Sequence, residues 1–76
     1  MIGQTLDATV AAQVLNHIGR GGYPAGSFVS ALLVAWSRAD PTNQVLLSRA
    51  YPGIGEAMRL TNEPGGIEKL QEVAAS

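Results

Sequence analysis

Apolar side chains recur at helical spacing along most of this 76-residue chain, in segments separated by glycine and proline. In the first segment Asp7 is a typical helix N-cap, and Gly21-Gly22 is a typical helix stop. Between them, the apolar face consists of Val10, Ala11, Val14 and Ile18. The pattern predicts one amphipathic helix here.

The second segment is apolar around nearly its whole circumference. Pro24 suits the first turn of a helix, Ser27 can accept hydrogen bonds from its free N–H groups, and the pattern continues to about Arg38. Its main face consists of Phe28, Val29, Leu32, Leu33 and Trp36. The opposite side consists of Ala31, Val34 and Ala35. We therefore expect this helix to be buried on more than one side, as the central element or in an oligomer interface.

Three shorter helices are predicted in the remainder. Asp40-Pro41 combines an acidic N-cap with proline at the first helical position, and Pro52-Gly53 separates the third helix from the fourth. The inward residues expected in the third helix are Leu46, Leu47, Ala50 and Tyr51. In the fourth they are Ile54, Ala57 and Met58, and in the fifth, after a loop at residues 63–66, Ile67, Leu70, Val73 and Ala74. No segment alternates like a strand, so the sequence predicts one all-α domain of four to five short helices over residues 1–76.

Composition points to association between chains. Charged residues make up 14% of the chain and hydrophobic residues 46%, although small domains have proportionally more surface to cover. Exposed apolar surface usually marks an interface, so we expect a homodimer or higher homo-oligomer with the second helix, and Val34 in particular, at the contact. The longest mostly apolar run has nine residues and no basic region precedes the first one, so neither a membrane span nor a targeting signal is expected.

The sequence contains few residues in patterns that could support catalysis. Gly21 and Gly26 form a G-x-x-x-x-G frame before Ser27, but the lysine of a phosphate-binding loop is missing, and the stretch follows a helix where that loop follows a strand. We interpret it as a turn. His17 is the sole histidine and the chain has no cysteine, so no metal site or Ser–His couple is expected. The prediction is a non-enzymatic protein with no catalytic residue, cofactor or metal.

The aromatic side chains and the charges have structural explanations. Trp36, Tyr23 and Tyr51 are expected to anchor the core, and Glu56 and Arg59 to form a surface pair at i, i+3. Helices two and three invite comparison with a helix-turn-helix, and Thr42, Asn43 and Gln44 would be the base-reading residues. The net charge is −1 and the cations are dispersed, so nucleic acid is not the expected partner.

Four short strings, "GGYPAGSF", "ADPTN", "YPG" and "PGGIEKL", resemble in order and spacing a group of short proteins encoded by actinobacterial viruses and prophages. The resemblance covers about residues 19 to 72, and its motifs are mainly turn and cap residues. It implies a bacteriophage-type protein made in the cytoplasm of a bacterial host, and it implies no functional residue.

Together these patterns predict a protein that acts by protein–protein interaction, through self-association and through binding of a bacterial host protein. The residues expected at partner contacts are those off the main apolar faces, namely Val34, Val45, Arg49 and Leu60. The alternative is a small helix-turn-helix-like DNA-binding regulator, which the dispersed charge does not favour.

Overall fold

The computed structural model describes residues 6–76, so the first five residues of the predicted domain lie outside the described residues. It contains five helices, α1 (Ala8–His17), α2 (Ser27–Arg38), α3 (Pro41–Ala50), α4 (Pro52–Leu60) and α5 (Gly66–Ala75). Residues 6–76 contain no strand. The all-α prediction is confirmed, and no helix in this range is long and apolar enough to cross a bilayer.

Two predicted caps are confirmed by side-chain hydrogen bonds. The Asp7 carboxylate accepts from the backbone N–H of Val10 at 2.9 Å, and the Asp40 carboxylate accepts from the N–H of Asn43 at 2.8 Å. Each carboxylate satisfies one of the N–H groups that a helix start leaves free. These two bonds fix where α1 and α3 begin.

The start of α2 differs from the prediction. This helix begins at Ser27, with Gly26 as an N-cap that makes no side-chain hydrogen bond, and Pro24 lies in the preceding connection. The stretch from Gly19 to Gly26 is therefore a long connection in which Gly21 and Gly22 both have positive φ. The N–H of Tyr23 donates to the carbonyl of Ala12 at 3.3 Å, which ties this connection to α1.

The centre of the core is α1. It packs against α2, α4 and α5, and five of its ten residues are buried. The core consists of Val10, Ala11, Ala12, Val14, Leu15, Leu33, Trp36, Ile54, Ala57, Leu60 and Leu70. Burial from three sides explains why α1 has the longest run of buried positions.

Helix α2 is not the central element, which was one of the two alternatives predicted for it, and the other alternative, an oligomer interface, stays a prediction. This helix packs only against α1 and α3, and its only buried residues are Leu33 and Trp36. Phe28, which was predicted to face inward, is 64% exposed. Because only one side of α2 is covered, its second apolar side faces solvent.

Helix α3 also differs from the prediction, since none of its residues is fully buried. Leu46 is 53% exposed, and Leu47 is partly buried against the core. Tyr23 is 49% exposed, so the prediction that it anchors the core is wrong, whereas Tyr51 is partly buried. The α2–α3 pair is therefore a helical hairpin attached to the core by one face.

Candidate functional site

An open groove of about 1000 Å³ lies between α3 and α4 and reaches the carboxyl ends of α1 and α2. We call it the α3–α4 groove. Val45 and Arg49, two of the residues predicted to contact a partner, lie one helical turn apart on α3 and both line it. Other lining residues include Ile18, Trp36, Ser48, Gly55, Met58 and Asn62. The groove combines apolar contact surface with charged groups at its rim.

The proximity of α3 and α4 depends on a small residue. A Cβ atom at Gly55 would lie 2.8 Å from the Ser48 hydroxyl oxygen and 2.9 Å from the Ser48 Cβ. The two helices therefore contact each other at Gly55 and Ser48. Because both residues also line the groove, this contact sets the separation of its two walls.

The charged groups of the groove divide into a paired cluster and a free cation. Arg59 Nη2 lies 2.7 Å from Glu56 Oε2, Arg59 Nε donates to Glu56 Oε1 at 3.0 Å, and Arg59 also pairs with Glu63. These are the only ion pairs within residues 6–76, so Arg49 has no carboxylate partner there. Arg49 can therefore offer all its donors to a bound molecule.

The hydrogen bond from Arg59 lowers the pKa of Glu56, desolvation of this carboxyl acts in the opposite direction, and the positive charges of Arg59 and Lys69 lower the pKa further. A lowered pKa in the folded state means that the pair stabilises the fold above the unfolded pKa and ceases to do so as pH falls through the folded one. Both side chains are about half exposed, so solvent screening keeps the effect on stability small.

We expect Arg59→Gln to raise the pKa of Glu56 toward its ordinary value, because the hydrogen bond and the charge that lower it are both removed. An NMR titration of the side-chain carboxyl carbons measures this directly. Arg49→Gln is the matched control and leaves the Glu56 midpoint unchanged. An unchanged midpoint in Arg59→Gln would contradict the pairing.

The structure brings together a His–Ser pair that the sequence did not predict. His17 Nε2 lies 3.2 Å from the Ser37 hydroxyl, between the last turns of α1 and α2. The hydroxyl of Ser37 donates to the Leu33 carbonyl at 3.0 Å, so its proton is already used and the imidazole N–H is the donor to it. A general base must accept the proton of its nucleophile, and this arrangement has the opposite polarity. The pair links two helices.

Gln44 has a structural role in the hairpin. Its side-chain amide donates to the backbone carbonyls of Ala39 at 3.2 Å and Trp36 at 3.4 Å. These bonds satisfy carbonyl groups at the end of α2 and hold the α2–α3 turn. Of the three residues considered for base reading, Gln44 is therefore engaged within the protein.

The other two residues predicted at partner contacts lie elsewhere. Val34 is 47% exposed on α2 and does not line the groove. Leu60 is 4% exposed and belongs to the core, so the expectation that it lies on the surface is wrong. Leu60 ends α4 where the chain turns into α5, and Gly66 at the start of α5 packs closely against the Leu60 backbone.

A second surface feature is the solvent-facing side of α2, which we call the α2 stripe. It consists of Ser27, Phe28, Ala31, Val34, Ala35 and Arg38, all exposed. At 100° per residue these six positions span about 120° of the helix. The sequence pattern predicts Ala31, Val34 and Ala35 on the second face of α2 but places Phe28 on the main face, because Phe28 continues that face in sequence. Its ring instead lies 6.4 Å from that of Tyr51.

No protein-family model, curated protein or solved structure matches this chain. Residues 6–76 contain no group of three or more histidine, aspartate or glutamate side chains placed to hold a metal ion.

Proposed function

We propose that this protein is a small non-enzymatic interaction protein of bacteriophage type. It self-associates through the α2 stripe and binds a protein of its bacterial host in the α3–α4 groove. The binding of a host protein is supported by one observation. Val45, which is 52% exposed, and Arg49, which forms no ion pair within residues 6–76, lie side by side on one wall of the groove. Arginine is among the residues most enriched at interface hot spots, and the exposed Val45 beside it adds apolar contact surface.

The shape and the charge of the groove favour a macromolecular partner. Its walls come from two helices that approach closely at Gly55 and Ser48, and its rim carries both signs of charge. Small-molecule sites are largely enclosed, whereas this groove is partly open to solvent. An open groove with a polar rim suits a polypeptide segment of another protein.

The host interaction can be tested by capture from an actinobacterial lysate on the immobilised protein, with variants chosen on and off the groove. We expect a specific host protein to be retained by the unaltered chain and lost with Arg49→Glu and with Val45→Glu. Arg20→Glu is the matched control, since Arg20 is exposed and does not line the groove. The captured protein is then purified, and calorimetry with the same variants measures its affinity.

Two results would overturn this function. One is capture that does not distinguish Arg49→Glu from Arg20→Glu. The other is a salt-sensitive, sequence-dependent gel shift with DNA and no protein partner, which would favour the regulator alternative. Circular dichroism of each variant confirms that the fold is kept.

A further inference from the structure

Most of the core lies outside α2. Five of its eleven buried hydrophobic residues belong to α1, three to α4 and one to α5, and these three helices all contact one another. The other two are Leu33 and Trp36 of α2. Seven of the twelve residues of α2 are exposed, and this helix does not contact α5. The helices α1, α4 and α5 therefore keep most of the core when α2 is removed.

Few polar contacts hold α2 in place. Within residues 6–76 the contact of His17 with Ser37 is the only hydrogen bond between α1 and α2, and it lies at an exposed position. The bond from the Gln44 amide to the Trp36 carbonyl has a length of 3.4 Å, which is long for a hydrogen bond. No side-chain hydrogen bond caps the start of α2. The burial of Leu33 and Trp36 is therefore its main attachment.

The chain is fixed on both sides of α2. Before this helix, Gly22 packs so closely on the Ala12 carbonyl that no Cβ atom fits, and the N–H of Tyr23 donates to the same carbonyl. After it, α3 is held against α4 by the close approach of Ser48 to Gly55. The segment between these two contacts can therefore move while its flanks stay in place.

We propose that α2 is a lid that opens as a unit. Leu33 and Trp36 separate from α1, while α1, α3, α4 and α5 keep their contacts. A helix of 12 residues is marginal by itself in water, so α2 loses its internal hydrogen bonds when it separates. The open form is a minor state, because two large side chains lose their burial in it.

The lid controls one end of the α3–α4 groove. Trp36 and Ser37 of α2 line this groove together with Val45 and Arg49 of α3. Opening removes the α2 part of the lining, so a molecule that contacts this part binds the closed form better. The apparent affinity then falls with the fraction of closed chains. This consequence rests on the groove binding in the proposed function, whereas the opening itself does not.

Native-state hydrogen exchange, followed by NMR on the unaltered chain, tests the opening without any bound molecule. After correction for intrinsic rates, we expect the backbone amides of residues 31–38 to exchange at least about 100-fold faster than the slowest amides of α1 and α5. Low concentrations of urea accelerate exchange in α2 only weakly, because opening exposes less surface than global unfolding does.

Two alanine substitutions form a matched pair for the same experiment. Leu32 on α2 and Ile67 on α5 have side chains of equal size, and both are partly buried against the core. Ile67→Ala removes contacts that the closed and open forms share, so exchange of the slowest α5 amides rises about 3-fold to 30-fold, whereas exchange in α2 changes less than about 2-fold. Leu32→Ala removes contacts made only in the closed form, so exchange in α2 itself rises about 3-fold to 30-fold.

Equal opening constants for the amides of α2, α1 and α5 in the unaltered chain would overturn the lid, since the protein would then open as one cooperative unit. So would an Ile67→Ala variant in which exchange rises by the same factor in α2 and α5. Either result leaves the groove proposal standing. Failure to capture a host protein leaves the lid standing, because the exchange experiment uses no partner.

Discussion

Replacing Gly66 with alanine is expected to destabilise this protein by about 3 kcal/mol or more. A Cβ atom at Gly66 would lie 1.7 Å from the Leu60 carbonyl oxygen and 2.6 Å from its carbonyl carbon. Both neighbours are backbone atoms, so relief requires the start of α5 to move away from the end of α4. That movement would uncover Leu60, which is buried in the core.

Gly65→Ala is the matched control, one residue earlier in the same loop. Gly65 has φ +75° and a Cβ there would meet no atom within 4 Å, so only backbone strain of about 1 to 2 kcal/mol is expected. Urea unfolding followed by the fluorescence of Trp36, the only tryptophan and a buried one, measures both variants. A domain of this length has roughly 4 to 11 kcal/mol of stability in total, so Gly66→Ala is expected to leave a measurable unfolded fraction. Equal losses in the two variants would contradict the close approach.

The second large effect is expected from Leu70→Ala. Leu70 is 0% exposed on α5 and belongs to the core, so truncation leaves a cavity and costs about 2 to 5 kcal/mol. The same substitution at Leu46 is the control. Leu46 is 53% exposed, and its loss is expected to change the unfolding free energy by about 0.5 kcal/mol at most.

Comparing Leu70→Ala with Leu46→Ala tests the structure against the sequence pattern, because the periodicity predicts that both leucines face inward. Urea unfolding of the two variants under identical conditions measures whether their losses of stability differ. If Leu46→Ala lowered the free energy of unfolding as much as Leu70→Ala, Leu46 would have to be buried. That result would contradict the exposure of this face of α3.

The helices themselves were predictable because their signals are local. Asp7 and Asp40 cap the helices they were assigned to, since the carboxylate and the N–H it accepts from are three residues apart. The one early start, at Pro24, has a tertiary reason. Proline is compatible with a first helical turn, but the hydrogen bond from the Tyr23 N–H to the Ala12 carbonyl ties this part of the chain to α1.

Part of the candidate site was also accessible from the sequence. The sequence pattern places Val45 and Arg49 off the main face of α3, and both line the α3–α4 groove. The His17–Ser37 contact joins residues 20 positions apart, so no local spacing could predict it. The same holds for the Gly55–Ser48 contact, which depends on how closely two helices approach.

The sequence by itself determined the helical class, the two aspartate caps and the amphipathic faces of α1, α4 and α5, because each depends on residues within a few positions of one another. Tertiary structure alone decided which apolar faces are covered. Helix α1 is enclosed by three other helices, whereas α2 and α3 each have one side covered, so Phe28 and Leu46 are exposed and Leu60 is buried. Periodicity shows that a face is apolar. How extensively the neighbouring helices contact that face decides whether it is buried within the chain or stays exposed.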